Sequence, residues 1–141
     1  MMDRIRLAVV LTSLVILGHG CGDQTEEPAA NEAQDKEQWA VVQTVIDGNK
    51  QFADLLTSIT DVESARAAAP KLQAAINSLK AAGEKMETFA EPTEAMKKRM
   101  DTEFTPAMAE AQTRITAQME RLEQLPEAMA VIEPILASME Q

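Results

Sequence analysis

Histidine and cysteine are nearly absent from this chain of 141 residues, which contains one of each, His19 and Cys21. The 120 residues that follow Cys21 have neither. This excludes Ser-His-Asp and Cys-His catalysis, histidine-ligated haem, and a Glu-x-x-His di-iron site from that part of the chain. Zinc and iron–sulfur sites that depend on several cysteines are excluded as well. No glycine-rich phosphate loop or EF-hand loop is present.

Residues that favour strands and turns are also scarce. Tyrosine is missing, aromatic residues make up 3% of the chain, there are five glycines, and β-branched residues do not alternate with polar ones. Alanine, glutamate, glutamine, lysine, leucine and methionine dominate instead, and all of them form helices readily. The sequence therefore predicts an all-α protein, and its length predicts one domain.

The first twenty residues have the features of a secretory signal peptide. Arg4 and Arg6 precede the run Leu7 to Leu17, whose eleven residues are apolar except for Thr12 and Ser13. Small and polar residues then lead to Cys21. A membrane-spanning helix needs about 20 apolar residues, so this run is typical of a cleaved leader. We assign residues 1–20 to a signal peptide and expect the protein to be exported.

The segment Leu17-Gly18-His19-Gly20-Cys21 resembles a bacterial lipobox, in which the cysteine is lipidated and becomes the new N-terminus. Gly18 stands where that motif usually has leucine, and His19 is unusual. Ordinary signal peptidase cleavage would use Gly18 and Gly20 as its small residues and would break the same bond. The resemblance implies lipidation of Cys21 and a domain that faces the periplasm, and Gly22 after the cysteine favours the outer membrane.

Charge and composition divide the remaining chain. Removal of residues 1–20 takes away Arg4, Arg6 and Asp3, so the formal net charge goes from −10 to −11. This charge opposes binding to nucleic acid and to anionic lipid.

Residues 22–36 contain no large apolar side chain, so we expect residues 21–36 to be the lipidated cysteine and a flexible acidic tether. We assign residues 37–141 to a helical bundle domain.

Apolar residues recur every three or four positions through that domain, as they do on one face of an amphipathic helix. The pattern predicts a first helix from residue 31 or 32 to 58, continuous through Gly48, and a second to about residue 90. It also predicts a third from residue 93 or 94 to about 124, and a shorter fourth from Pro126 to about 139. Thr60 and Glu63 have capping-box spacing. The simplest assembly is an antiparallel bundle of three long helices and one short one, with kinks near the three prolines inside the pattern, Pro70, Pro106 and Pro134.

Methionine is the residue type that suggests a binding site. Seven methionines follow the signal segment, and Met96 and Met100 lie four residues apart on one helix face. Thioethers suit soft metals such as Cu(I). The same residues lie on the apolar stripe, where methionine fills gaps in a core, and we favour that interpretation. We accordingly predict no cofactor, and we expect Trp39 to pack in the core and the run 97–99 to pair with acidic neighbours.

Two stretches, residues 61–72 and 126–130, are similar to segments of a family of small helical bacterial lipoproteins. The similarity covers roughly residues 50 to 140. The family carries no established activity, so the resemblance implies a fold and an anchor but no functional residues.

Three functions are compatible with these features. The first is an envelope lipoprotein whose helical domain is structural or binds another protein, or a second copy of itself. The second is a periplasmic binding protein that takes a small apolar ligand or a soft metal into a methionine-rich interior. The third, an enzyme, is disfavoured because no nucleophile constellation is present.

Overall fold

The computed structural model describes residues 28–140. Within this range the chain is helical throughout and has no strand, which confirms the all-α prediction. The described residues form four helical segments, and the first two are α1 (Pro28–Ser58) and α2 (Val62–Glu87). The third, called the third helical run below, is continuous and consists of α3 (Glu94–Arg99), a π-helical turn (Met100–Phe104) and α4 (Thr105–Leu122). The fourth is α5 (Pro126–Ala137), which is followed by a 3₁₀ turn (Ser138–Glu140). None of the described helices is long and apolar enough to cross a bilayer.

Helix α1 begins at Pro28, so residues 28–36 of the segment expected to form a tether are helical. Alanine, glutamate, glutamine and lysine in this stretch have high helix propensity, and proline is tolerated in a first turn, where its missing N–H has no partner to lose. Asp35 also bonds to Thr93 in the loop after α2, which fixes this end of the helix. The helix continues through Gly48 and ends at Ser58, as the apolar periodicity predicts.

Gly48 sets how closely α1 and α2 approach each other. It is buried, and a Cβ atom added there would lie 2.8 Å from Leu79 Cδ2 and 3.2 Å from Leu79 Cγ. A larger residue at position 48 would require the side chain of Leu79 to shift. The segment Asp47-Gly48-Asn49 has the composition of a turn, but it lies inside a continuous helix, where Gly48 serves the packing of α1 on α2.

Helix α2 begins with a capping box that lies one residue later than the sequence pattern indicates. Asp61, not Thr60, is the N-cap: its carboxylate accepts from the backbone N–H of Ser64 at 2.7 Å. The hydroxyl of Ser64 in turn accepts from the backbone N–H of Asp61 at 3.0 Å. The carboxylate accepts from the backbone N–H and from the hydroxyl of Ser64, and these two bonds to its charged form lower the pKa of Asp61. Ile59, two residues before the cap, is fully buried.

The prolines inside the pattern do not end their helices. Pro70 lies within α2 and Pro134 within α5. Pro106 follows the π-helical turn, where the backbone N–H of Thr105 donates to the carbonyl of Met100, five residues back. The π-helical turn thus provides a hydrogen bond for the N–H of Thr105, the residue directly before Pro106, and Pro106 itself has no N–H to donate. The third helical run is therefore continuous across Pro106.

Helix α1 packs against both α2 and α4, and α2 packs against α5. The main core fills the end of the molecule that α5 covers. Its fully or nearly fully buried members come from α1, α2, α4 and α5 and from the turn between α1 and α2. The largest are Leu56, Ile59, Leu72, Ile76, Leu122 and Ile132. A second, smaller core lies at the opposite end, where α1 meets the end of α2 and the start of the third run.

The end of α1 is held by a side chain from α4. Arg121 donates from Nη2 to the carbonyl of Leu56 at 2.8 Å and from Nη1 to the carbonyl of Ile59 at 2.7 Å. Its Nε donates to Gln118 at 2.7 Å. Carbonyls at a helix C-terminus lack partners within the helix and carry partial negative charge, so a guanidinium is well suited to bind them.

Candidate functional site

Cys21, the predicted lipidation site, lies outside the described residues. The other residues singled out from the sequence, Met96 and Met100, lie within them. The site described here is therefore the region around these two methionines at the small core.

The small core, called the methionine cluster below, joins residues from three helical segments. Four of its members are buried, and four more pack against them half-buried: Trp39, Val42, Ile46 and Met96, then Met86, Met100, Phe104 and Ala107. Met96 is 3% exposed. The helical register thus brings Met96 and Met100 into one cluster, as their spacing predicts, and α2 adds Met86. Apolar partners surround these thioethers, which is the environment of methionine that fills a core.

Trp39 closes the cluster on the side of α1. Its side chain is 8% exposed, and the guanidinium carbon of Arg99 lies 3.8 Å from the centroid of its ring. This is close enough for a cation–π interaction. Arg99 also donates from Nε to Glu103 at 3.0 Å. Trp39 therefore packs in the core, as its phase with Val42 and Ile46 predicts, and Arg99 covers the ring.

A polar edge borders the methionine cluster where α1 meets the loop after α2. Asp35 accepts a hydrogen bond from the hydroxyl of Thr93 at 2.5 Å, and this hydroxyl accepts from the backbone N–H of Met96 at 3.2 Å. Gln38, which is 3% exposed, donates from Nε2 to the carbonyl of Ala90 at 3.4 Å. Asp35 and Gln38, on one face of α1, thus form hydrogen bonds with two residues of the loop, Thr93 and Ala90.

One side-chain oxygen of Asp35 and the only side-chain oxygen of Gln38 have no hydrogen-bond partner among the described residues. Asp35 Oδ1 and Gln38 Oε1 are both fully buried atoms. Both can only accept hydrogen bonds or bind a cation. The two residues are three positions apart, so they lie on the same face of α1. Sequence reasoning missed this pair, because nothing local distinguishes Asp35 from the other acids nearby.

The basic run at residues 97–99 is tied to neighbouring acids. Lys97 Nζ lies 2.9 Å from Glu94 and 3.1 Å from Glu91, and these hydrogen bonds raise the pKa of Lys97. Arg99 pairs with Glu103. Lys97 and Arg99 therefore have the acidic partners that the sequence predicts, on an exposed surface where such pairs contribute little to stability.

The chemistry available in the described part of the chain is limited. No group of three or more histidine, cysteine, aspartate or glutamate side chains is placed to hold a metal ion between residues 28 and 140. The depression found on α4 is shallow and open, and it is lined by Gln112, Thr113, Thr116, Ala117 and Glu120. Neither observation defines a catalytic centre.

The outer surface is polar. Among the large apolar side chains with described burial, only Met139 is exposed, with 45% of its surface accessible. The apolar stripes that the sequence predicts are thus turned inward in a single copy of the chain. A search of protein-family models, curated proteins and solved structures found no match to this chain.

Proposed function

We propose that this protein is an exported lipoprotein of the bacterial cell envelope, anchored by a lipid on Cys21 and facing the periplasm. The signal-like segment 1–20 and the single cysteine at its end support this proposal. Two or more acyl chains make membrane attachment stable, because each buried methylene contributes about 0.8 kcal/mol. Gly22 favours the outer membrane as the destination.

The helical domain acts, in this proposal, as a structural or protein-interaction module and not as an enzyme. The observation that carries it is the inward packing of the apolar stripes, with Met139 as the exposed exception among the described side chains. A closed core leaves the anchor and the strongly acidic surface as the features available to a partner. Nucleic acid is disfavoured as a partner, because its phosphates would be repelled.

We further propose that the working form is an antiparallel bundle of three long helical segments and a short fourth, bent near Pro70, Pro106 and Pro134. The packing of α1 on α2 and α4, and of α2 on α5, supports this arrangement. Proline removes a helical hydrogen bond and crowds the preceding turn, which is the usual cause of a sharp bend.

The interaction half of the proposal is tested by crosslinking in intact cells. Wild-type protein is compared with a variant in which three exposed acids on α4 and the turn after it are neutralised: Glu110→Gln, Glu120→Gln and Glu123→Gln. An envelope partner with a basic surface predicts a specific crosslinked product that the variant forms less efficiently. A matched variant with exposed Gln51→Ala, Gln124→Ala and Asn77→Ala should retain it. Equal crosslinking of all three proteins would contradict the charged interface.

A soft-metal site is the second candidate, favoured by one observation: Met86, Met96 and Met100 belong to the same cluster. The test is the melting temperature of the full chain with Ag(I), a stable substitute for Cu(I). A site predicts a rise that is lost in Met96→Leu/Met100→Leu, a change of nearly constant volume, and kept in Met139→Leu. No rise in the wild-type protein would leave the methionines a core role alone.

A further inference from the structure

Thioethers are concentrated in the smaller of the two cores. Three of the eight members of the methionine cluster are methionines, against two of nineteen in the main core. Met86 comes from the end of α2, and Met96 and Met100 come from the first part of the third helical run. The packing that joins these two segments to α1 therefore depends on sulfur-containing side chains, whereas the main core is mostly aliphatic.

The three methionines of the cluster differ in their access to solvent. Met96 is 3% exposed, whereas Met86 and Met100 are half-buried. A small oxidant can reach a half-buried thioether, although most of that side chain still packs against apolar neighbours. Met139 is 45% exposed and belongs to neither core, so it shows how an unprotected methionine of the same chain reacts.

We propose that Met86 and Met100 are a site of reversible oxidation by hydroperoxides, and that their oxidation loosens the methionine cluster. A sulfur lone pair attacks one peroxide oxygen, an S=O bond forms, the O–O bond breaks, and water or an alcohol leaves. The sulfur loses the two electrons that the peroxide gains. A methionine sulfoxide reductase reverses the step: two thiols form a disulfide, and the oxygen leaves as water.

The surroundings of these methionines turn the chemical change into a structural one. Apart from the indole N–H of Trp39, no side chain of the cluster can donate a hydrogen bond to a sulfoxide oxygen. Burial of a polar oxygen without a partner is unfavourable, so the oxidised side chains turn outward to water and leave the space that they filled. Trp39 and Met96 then lose apolar neighbours, and the first part of the third helical run packs less tightly on α1. Oxidation of the two half-buried methionines thus gives the oxidant access to the buried one.

Hydrogen peroxide tests this proposal on the purified full chain, so the outcome does not depend on export or lipidation. Peptide mass spectrometry follows the oxidation of each methionine and checks that Trp39 itself is unmodified. Met139 should be oxidised first, without a change in the emission of Trp39. Oxidation of Met86 and Met100 should then shift this emission to longer wavelength and lower the melting temperature by several degrees. Met96 should be oxidised only after them, and methionine sulfoxide reductases should restore the emission and the melting temperature.

Matched double variants assign the response to the cluster. Met86→Leu/Met100→Leu removes both sulfurs at nearly constant volume, so its emission and melting temperature should not change in peroxide. Met108→Leu/Met129→Leu replaces two half-buried methionines outside the cluster and should respond as the wild type does.

The wild-type protein alone can overturn the proposal, whatever the stability of the variants. Met86 and Met100 that resist peroxide after Met139 is fully oxidised would do so. Full oxidation of Met86 and Met100 without a shift in the emission of Trp39 would do so as well. An equal response of the two double variants would place the sensitivity outside the methionine cluster.

Discussion

Arg121 and Leu56 lie 65 positions apart in the chain, yet Nη2 of the arginine donates to the carbonyl of the leucine at 2.8 Å. The second guanidinium nitrogen binds the carbonyl of Ile59, so α4 caps the C-terminus of α1. Leu56 and Ile59 are fully buried. The bonds therefore satisfy helix-end carbonyls beside the centre of the main core, where water has little access.

Replacing Arg121 with alanine should lower the free energy of unfolding by about 2–3 kcal/mol, because two carbonyls lose a charged donor. Chemical denaturation in urea measures this change. Arg114→Ala is the matched control: it also removes an arginine that joins α4 to α1, through Asp54, but on an exposed surface. That variant should lose less than about 1 kcal/mol. Equal losses in the two variants would show that the cap has no special role.

The two glycines within the helices should respond to alanine in different ways. At Gly83 an added Cβ meets nothing within 4 Å, so Gly83→Ala should stabilise the protein by about 0.5–1 kcal/mol through helix propensity. At Gly48 the added atom would lie 2.8 Å from Leu79 Cδ2. The side chain of Leu79 must move to make room, and overpacking costs about 1–3 kcal/mol, so Gly48→Ala should be less stable than Gly83→Ala by an amount of that order.

Thermal melts of both glycine variants and of Gly48→Ala/Leu79→Ala check this prediction. The double variant relieves the clash, so it should be less destabilised than the two single changes together imply. If Gly48→Ala were as stable as Gly83→Ala, the close approach of α1 and α2 at this point would be wrong.

The capping box at the start of α2 predicts a dependence on pH. Because its hydrogen bonds lower the pKa of Asp61, the stabilisation is present above the pKa of the unfolded chain, about 4. It is lost as the pH falls through the lower pKa of the folded state. Asn at this position also caps the helix but does not titrate. The wild-type protein should therefore lose stability relative to Asp61→Asn as the pH falls from 6 to 3.

Urea midpoints at these two pH values measure the difference. Glu63→Gln changes the same charge in the same helical turn, at the position where the sequence pattern placed the capping carboxylate. Its difference from wild type should change less with pH than that of Asp61→Asn. The reverse order would restore Thr60 and Glu63 as the cap.

Arg99 should control the exposure of Trp39. Its guanidinium lies 3.8 Å from the ring centroid, and Arg99→Ala removes this cover. The fluorescence of Trp39 should shift to longer wavelength and become more accessible to acrylamide, with a stability loss of about 0.5–1 kcal/mol. Lys98→Ala, at an exposed neighbouring position, is the control and should leave the spectrum unchanged. An unchanged spectrum in Arg99→Ala would show that other residues shield the indole.

The elements that follow from the sequence are those set by local periodicity. The apolar stripe predicts the end of α1 at Ser58, the continuity of α1 through Gly48 and the core position of Trp39, because burial repeats at every helical turn. The sequence pattern places the start of α2 one residue early, because Thr60–Glu63 and Asp61–Ser64 are both suitable capping pairs. The hydrogen bonds of the folded chain form in the second pair.

The features that escape prediction depend on residues far apart in the chain. Arg121 binds carbonyls more than sixty positions away in the chain. Asp35 and Gln38 form hydrogen bonds with Thr93 and Ala90, in the loop at residues 90–93. Their local sequence is a run of polar residues like many others in this chain. Only the packing of α1 against the third helical run distinguishes them.

Mass spectrometry of the protein isolated from cell envelopes tests the central proposal most directly. We expect a mature chain that begins at Cys21 and carries the mass of a diacylglyceryl group on the thiol. Cys21→Ser should remove that mass and release the protein from the membrane fraction. A chain that begins at Cys21 with a free thiol, or one that retains residues 1–20, would contradict lipid anchoring.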